Sequence, residues 1–533
     1  MPIDIDRSLP ALLRAAAARH GAARASVFEG RATTLAEFDR LSDRAAAALA
    51  ARGVRPGDRV GLLAPNSDRF AVAYFGIVKA GAVVVPVNLL LNPKEMAWIL
   101  KDAGAKGLIH HAAFGAAAAH VAAEGVAAGF RAVIGGGAPG AEPWESWLAG
   151  DAPAPEDRIR PAEDLAAILY TSGTTGYPKG AMLTHRNLAV NVDSVARALE
   201  LRPAGDVFLA VLPMFHAFSA TVCMLSPLLT GCCFVPLAKF EPERVARAIG
   251  DEGVTILAAV PSMLAVLLRA PEEWRPRFAT LRRCFSGGAA LPVEILRQFE
   301  ARFGIPVCEG DGPTECSPVT CVNPVRGPRK PGTVGLPVAH VEMKICDEDG
   351  RERSRGEIGE ICVRGPNVMK GYWNRPEDTR AAFFGEWFRT GDLGTEDEDG
   401  YFSIVDRKKD MLITNGMNVY PRIVEEVLYR HPAVREAAVV GEPHETHGEI
   451  PVAFVALHEG AAARADELRA FCRESLGRHE VPRKVFFLKD LPKSGTGKIL
   501  KRELRKQGEW ERGVDSRSDA AGGAAAATAP ERG

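Results

Sequence analysis

The sequence predicts an α/β protein: a large N-terminal domain of doubly wound mixed sheets with a small barrel-like portion at its end, followed by a small α+β domain. Three observations carry this. Short β-branched apolar runs alternate with amphipathic helix patterns through most of the first 400 residues, the texture turns to alternating strands with Gly and Asp turns from about Gly335, and a different strand and helix pattern begins after Asp406. A chain of 533 residues is also too long for one ordinary core, so two or three units are expected.

The expected N-terminal domain covers 1–405. Residues 59–65, 69–79 and 82–87 read as one β-α-β unit, and further short strands recur at 167–172, 207–212, 232–236, 255–260 and 283–286. Strands separated by helical patterns pack as a mostly parallel sheet. The runs 341–346 and 357–364 alternate apolar and polar residues between turns, which suits an antiparallel or barrel-like portion. In the expected C-terminal domain, 406–506, a helix over 421–429, a strand over 451–457, a helix over 465–476 and a strand over 485–488 follow in turn. The remainder, 507–533, ends in small and polar residues that bury too little surface to offset the entropy of ordering, and reads as a disordered tail.

Composition narrows the classes of function. With 47% hydrophobic and 25% charged residues and a formal net charge of -1, the chain has no electrostatic reason to bind nucleic acid or an anionic membrane surface. No segment reaches the roughly 18 uninterrupted apolar residues of a membrane span, and the start, Met-Pro-Ile-Asp-Ile-Asp, lacks a basic residue followed by an apolar run. A cytoplasmic enzyme without a transmembrane segment is expected. The ten cysteines sit in apolar or small-residue contexts without a C-x-x-C pair, as buried free thiols do.

The most informative stretch is YTSGTTGYPKGAMLTH at 170–185, with three glycines, five Ser/Thr hydroxyls and Lys179 between two apolar runs. Glycines let backbone amides approach an anion, hydroxyls donate to phosphate oxygens, and lysine supplies a point charge. This is not a Walker A loop, because Lys179 is followed by Gly180 and a strand-like run rather than by Ser or Thr and a helix. A flexible linker is the competing reading, but linkers do not usually carry Pro-Lys-Gly between two apolar strands.

With this loop the chain resembles the adenylate-forming superfamily of acyl-CoA synthetases, luciferases and peptide-synthetase adenylation domains. Six further motifs follow in that family's order: SGGAA at 286–290, GDGPTE at 310–315, GEIGEICVRGPNVMKGY at 356–372, RTGDLG at 389–394, DRKKDMLITNGMNVYP at 406–421 and PKSGTGK at 492–498. The resemblance extends to about Lys506 and is strongest to bacterial long-chain fatty acid CoA ligases. It implies ATP, Mg²⁺ and coenzyme A as co-substrates and a fatty acid or other carboxylic acid as the partner that is activated. Loading of a carrier protein, and ligation of an aryl acid or malonate, stay open as alternatives. A homodimer also stays open, since no motif carries the oligomeric state.

By resemblance, Thr171, Ser172, Gly173, Thr174, Thr175, Gly176 and Lys179 hold the β- and γ-phosphates, and Thr171 and Glu315 are the Mg²⁺ ligands. Thr314 meets the α-phosphate. Gly287, Gly288, Ala289, Gly310, Asp311 and Gly312 line the nucleotide, and Asp392 and Arg407 take the ribose. Lys498 stabilises the α-phosphate in the first half-reaction; standing alone, it would read as a solvated lysine in a charged run. Two half-reactions in one active site imply a mobile C-terminal domain, with Lys409 at the hinge and Gly416 facing the nucleotide in the second conformation. His216, in LPMFHAFS, borders the acyl carboxylate, and Phe215, Phe218, Met224 and Leu225 face Gly287 and Gly288 across an apolar channel. One residue departs from the pattern. The family usually carries an aromatic ring where this chain has Asp311, and a carboxylate cannot stack on adenine.

Overall fold

The computed structural model describes residues 3–171, 178–493 and 499–510. The described chain divides into two compact units between Lys409 and Asp410.

Two large sheets organise the first unit. In the seven-stranded sheet the order is Glu142–Pro143, Phe130–Ile134, Ala105–His111, Arg59–Leu63, Val83–Pro86, Leu165–Thr171, Lys179–Thr184. Every neighbouring pair is parallel except the last, which is a hairpin. The β-α-β unit read from the sequence is present: Arg59–Leu63 and Val83–Pro86 pair in parallel, joined by the helix Asp68–Lys79. Ser67 caps that helix by accepting from the Phe70 amide at 3.1 Å. The helix is buried all round because it packs beneath both sheet and neighbouring helices, which is why its sequence is almost continuously apolar.

The nine-stranded sheet runs Leu336–Pro337, Cys321–Val322, Val307–Asp311, Arg283–Ser286, Ile256–Ala259, Val207–Ala210, Cys233–Pro236, Arg24–Phe28, Arg31–Thr34. Its centre is parallel and its ends antiparallel. The central strands are buried on both faces, as a parallel sheet covered by helices requires. Asn66, 5% exposed and just beyond the strand Arg59–Leu63, ties the two sheets together. Its amide donates to the carbonyls of Ala210, Leu212 and Leu237 at 2.9, 2.8 and 3.1 Å, and its oxygen accepts from the Met214 amide at 2.7 Å. Losing such a side chain would leave buried backbone groups unpaired, at about 1–3 kcal/mol each.

The texture change near Gly335 resolves as a five-stranded antiparallel sheet. Glu342–Cys346, Gly359–Arg364, Trp387–Glu396 and Phe383–Phe384 follow in order, with Phe402–Arg407 paired to Trp387–Glu396.

The second unit has its own five-stranded sheet of Met417–Val419, Leu412–Thr414, Gly448–Leu457 and Val434–His444, with Lys484–Phe487 paired in parallel to Gly448–Leu457. Helix Pro421–Tyr429 falls where the periodicity predicts it, while the next helix, Ala465–Arg473, stops three residues before the predicted end at 476. The strand predicted from 451 begins at Gly448, drawn out by its pairing with His444. All ten cysteines of the chain are buried free thiols. No helix among the described residues is long and apolar enough to cross a membrane.

Candidate active site

The first unit brings together side chains that lie far apart in the sequence. Thr171 ends its strand, Lys179 begins the next, and the two are partners in the hairpin register, so the intervening segment starts and finishes at one place. Ser172, Gly173, Thr174, Thr175 and Gly176 lie outside the described residues, as does Lys498.

Glu315 reaches the same place from the other large sheet. Strand Val307–Asp311 runs out through Gly312 and Pro313 into a short turn, Thr314–Cys316, in which Glu315 is 9% exposed. The Thr171 hydroxyl donates to Glu315 Oε1 at 3.1 Å, and the Tyr372 hydroxyl donates to the same oxygen at 3.0 Å. Burial first, and then the negative charge of Glu315, push the Tyr372 phenol well above the usual tyrosine range, so it stays a neutral donor. Lys179 Nζ lies 2.7 Å from Asp378 Oδ1 and 5.4 Å from the centre of the Tyr372 ring. A backbone bridge between Ala181 and Tyr372, with the Trp373 amide donating to the Gly180 carbonyl at 2.8 Å, holds the ring beside the strand Lys179–Thr184.

Tyr372 and Asp378 were not among the predicted site residues. Tyr372 closes the string 356–372, and a single aromatic at the end of a glycine-rich motif was a signal that could have been followed. Asp378 stands 199 residues from Lys179, and no local pattern connects them.

The glycines of this region are positions where side chains would collide. A Cβ on Gly310 would lie 2.7 Å from the Cys321 carbonyl oxygen and 2.7 Å from the Phe285 ring, and one on Gly312 would lie 1.7 Å from the Pro318 carbonyl oxygen. Gly287, directly after strand Arg283–Ser286, would place a Cβ 3.2 Å from the Gly310 carbonyl oxygen and 3.4 Å from the Phe218 ring. Gly288 has a left-handed backbone, φ +78°, and Ala289 beside it is exposed. These loops leave the carboxyl ends of parallel strands, where ligands of open α/β sheets bind.

Phe218 packs edge-on against Phe285, with ring centres 5.4 Å apart. Met224 and Leu225 are fully buried and Phe215 half-buried; of the apolar residues in this stretch it is Phe218 whose ring lies beside Gly287. His216 caps the short helix Ala217–Ser219, and its Nδ1 accepts from the Phe218 amide at 3.4 Å.

Asp311 ends its strand half-buried, and its carbonyl accepts from both the amide and the hydroxyl of Thr320, at 2.9 and 3.0 Å. Thr314 is likewise half-buried. Asp392 and Arg407 are register partners in the antiparallel sheet, with Arg407 Nε 3.6 Å from Asp392 Oδ1. Lys409, exposed, is the last residue of the first unit. Gly416 belongs to the second unit, in the turn between Leu412–Thr414 and Met417–Val419, with φ +77°.

The donor set bears on the metal. Among the described residues no cluster of three His, Cys, Asp or Glu side chains could enclose a metal ion. What exists is a pair of hard oxygens, Thr171 Oγ1 and Glu315 Oε1, within 3.1 Å of each other. Mg²⁺ is ordinarily held in just this way, by one or two protein oxygens with substrate phosphates and waters completing the octahedron, so the residues fit it.

Known proteins resemble the chain over most of its length. The AMP-binding enzyme family matches residues 13–373, and the AMP-binding enzyme C-terminal domain matches 423–498. A long-chain-fatty-acid–CoA ligase of Bacillus subtilis is 35% identical over 94% of each chain. A feruloyl-CoA synthase of an Amycolatopsis species is 39% identical over 92% of this chain and 96% of its own. Among solved structures, ATP-bound MatB from Rhodopseudomonas palustris superposes with a TM-score of 0.87 at 34% identity, covering 94% of this chain and 99% of that one. The anthranilate CoA ligase AuaEII in complex with anthranoyl-AMP gives 0.89 at 29% identity, covering 96% and 99%.

An adenylate-forming ligase is the class that this fold and site define. The chain belongs to the AMP-binding enzyme family and is an AMP-forming ligase; ATP, Mg²⁺ and coenzyme A are the co-substrates of the acid–thiol ligases within it.

Proposed function

We propose that this enzyme activates a medium- or long-chain fatty acid as an acyl adenylate and transfers the acyl group to coenzyme A, releasing pyrophosphate and AMP, in the cytoplasm. The observation that carries the reading is the convergence of Thr171, Glu315, Tyr372 and Lys179 at the carboxyl ends of strands from two sheets.

In the first half-reaction a carboxylate oxygen attacks the α-phosphorus of ATP and the bond to the β-phosphate oxygen breaks. Charge builds on the attacked phosphate and on the leaving pyrophosphate, so fixed cations and hydrogen-bond donors supply the catalysis rather than a covalent residue. Lys179 and the hydroxyl of Thr171 are assigned to the leaving phosphates, and Thr314 and Lys498 to the α-phosphate. Asp392, with Arg407 beside it, accepts the ribose hydroxyls. Mg²⁺, held through Thr171 and Glu315, would neutralise phosphate charge. Tyr372, kept protonated, donates to Glu315 and fixes the carboxylate that serves the metal. In the second half-reaction the thiol sulfur attacks the acyl carbonyl and AMP leaves, with Lys409 as the pivot between conformations and Gly416 assigned to the coenzyme A step. His216 borders the carboxylate, and the wall of Phe218 and Phe285 suits an alkyl chain.

An aryl acid is the second reading, favoured by the identity of 39% to a feruloyl-CoA synthase. One assay separates them: AMP and thioester formation with octanoate, palmitate, ferulate and benzoate, each with ATP, Mg²⁺ and coenzyme A. A kcat/KM highest for palmitate or octanoate supports the fatty acid. A preference for ferulate overturns it in favour of the aryl acid, and pyrophosphate release without thioester points to a carrier protein as acceptor.

A further inference from the structure

Lys179 is paired with a carboxylate. Its ammonium lies 2.7 Å from Asp378 Oδ1, and the side chains are 16% and 36% exposed, so the pair is only partly screened by water. The pair is held by more than its own attraction. Asp378 sits on the helix Pro376–Ala381, and the next residue, Thr379, accepts from the Tyr372 amide at 2.9 Å and donates to the Arg375 carbonyl at 2.8 Å. The helix is thereby fastened to the residue whose ring lies against Lys179. Around that ring stand one ammonium, Lys179, and two carboxylates, Asp378 and Glu315; with Tyr372 neutral, the cluster carries one excess negative charge. Glu315 has a use with a divalent cation, whereas Asp378, 2.7 Å from the ammonium, competes with phosphate for the lysine.

We propose that Asp378 is a positioning residue, a counter-ion that holds the Lys179 ammonium extended over Tyr372 until the triphosphate takes its place, and that it thereby sets the affinity for ATP. The inference rests on the reading of Lys179 as a phosphate ligand. A phosphate oxygen and the Asp378 carboxylate make rival claims on one ammonium, so part of the attraction to ATP is spent in displacing the carboxylate. Removing its charge should tighten ATP binding and leave the chemical step nearly alone.

The test uses the full chain and a pyrophosphate-release assay at saturating carboxylate and coenzyme A, with calorimetric ATP titration as a direct measure of binding. Asp378→Asn should lower the KM and Kd for ATP by about three- to tenfold with kcat changed less than about twofold, the range expected for a partly exposed ion pair and its neighbouring charge. Asp378→Glu should restore the original values, and Asp378→Ser should behave as the Asn variant does. In a Lys179→Met background, Asp378→Asn should change ATP affinity by less than about twofold, because nothing remains for the carboxylate to hold. An unchanged or raised KM and Kd in the single variants overturns the proposal, and so does an equal fall in the Lys179→Met background, which would mean that the carboxylate repels ATP directly. Failure of the underlying reading looks different: Lys179→Met alone would leave ATP affinity unaltered.

Discussion

Thr171 and Glu315, 144 positions apart, share a hydrogen bond of 3.1 Å between the ends of strands that belong to different sheets. A buried carboxylate beside a hydroxyl is costly unless it is paired, and Glu315 offsets that cost with two hydroxyl donors on one oxygen, Thr171 and Tyr372. Its backbone is separately secured, since its carbonyl accepts from the Met369 amide at 2.7 Å. Glu315→Gln should therefore fold normally and fail at the metal: kcat/KM for ATP should fall by about a hundredfold or more, as loss of a charged metal or transition-state ligand does. Initial rates across a Mg²⁺ titration decide it, and a variant with wild-type rates at every Mg²⁺ concentration would remove Glu315 from the metal site.

Gly312 makes a second prediction, about the shape of the loop that delivers Thr314 and Glu315. A Cβ there would lie 1.7 Å from the Pro318 carbonyl oxygen and 2.9 Å from the Thr320 amide nitrogen, both backbone atoms that cannot swing aside. Gly312→Ala should destabilise the first unit by about 3 kcal/mol, at the upper end for overpacking, and reduce activity with it. Urea unfolding midpoints measure this; a shift equivalent to under about 0.5 kcal/mol would show that the loop can move.

These two residues mark how far the sequence could be read. Gly312 and Glu315 fall in one short string, GDGPTE, whose glycine and acid are visible without a structure, and the β-α-β periodicity placed the parallel strands to within two residues at most ends. The fold class and the two-part organisation were legible for the same reason: both follow from local periodicity. Long-range register was not legible. The partnership of Lys179 with Asp378 depends on the bridge between Ala181 and Tyr372, and that of Asp392 with Arg407 on a hairpin register, neither of which has a local signature. Strand and helix ends moved by a few residues where pairing drew a strand out, as at Gly448.

By the resemblance of its GDGPTE string, Asp311 is expected where the family usually carries an aromatic ring. Its backbone does the structural work, because the carbonyl accepts twice from Thr320 and the strand register pairs it with Cys321, while the side chain is only half-buried. Asp311→Tyr should therefore be tolerated and should lower the KM for ATP, by removing a negative charge and restoring a stacking surface worth about 1 kcal/mol, or about fivefold. Steady-state kinetics in ATP at saturating acid and coenzyme A test this. An unchanged or higher KM would mean that adenine is held elsewhere.

Protonation gives the last prediction. His185 opens the helix His185–Ala198 at 1% exposure, and its Nδ1 accepts from the Leu9 amide at 3.3 Å, tying the N-terminal helix to this one. Burial pushes its pKa down to about 4, with the charges of Asp157 and Asp164 pulling weakly the other way. The unfolded chain takes up a proton near the ordinary value of about 6.5 while the folded chain does not, so the unfolded state gains as pH falls. The contribution is complete above pH 6.5 and is lost progressively down to the folded pKa of about 4, where the loss reaches about 3 kcal/mol at about 1.4 kcal/mol per pH unit. His185→Leu should be less stable than wild type at pH 7.5, because the Leu9 amide loses its acceptor, yet the gap should narrow as pH approaches 4.5. Denaturant midpoints of both proteins across that range give the answer: a gap that stays constant would mean that His185 is not the group whose protonation weakens the fold.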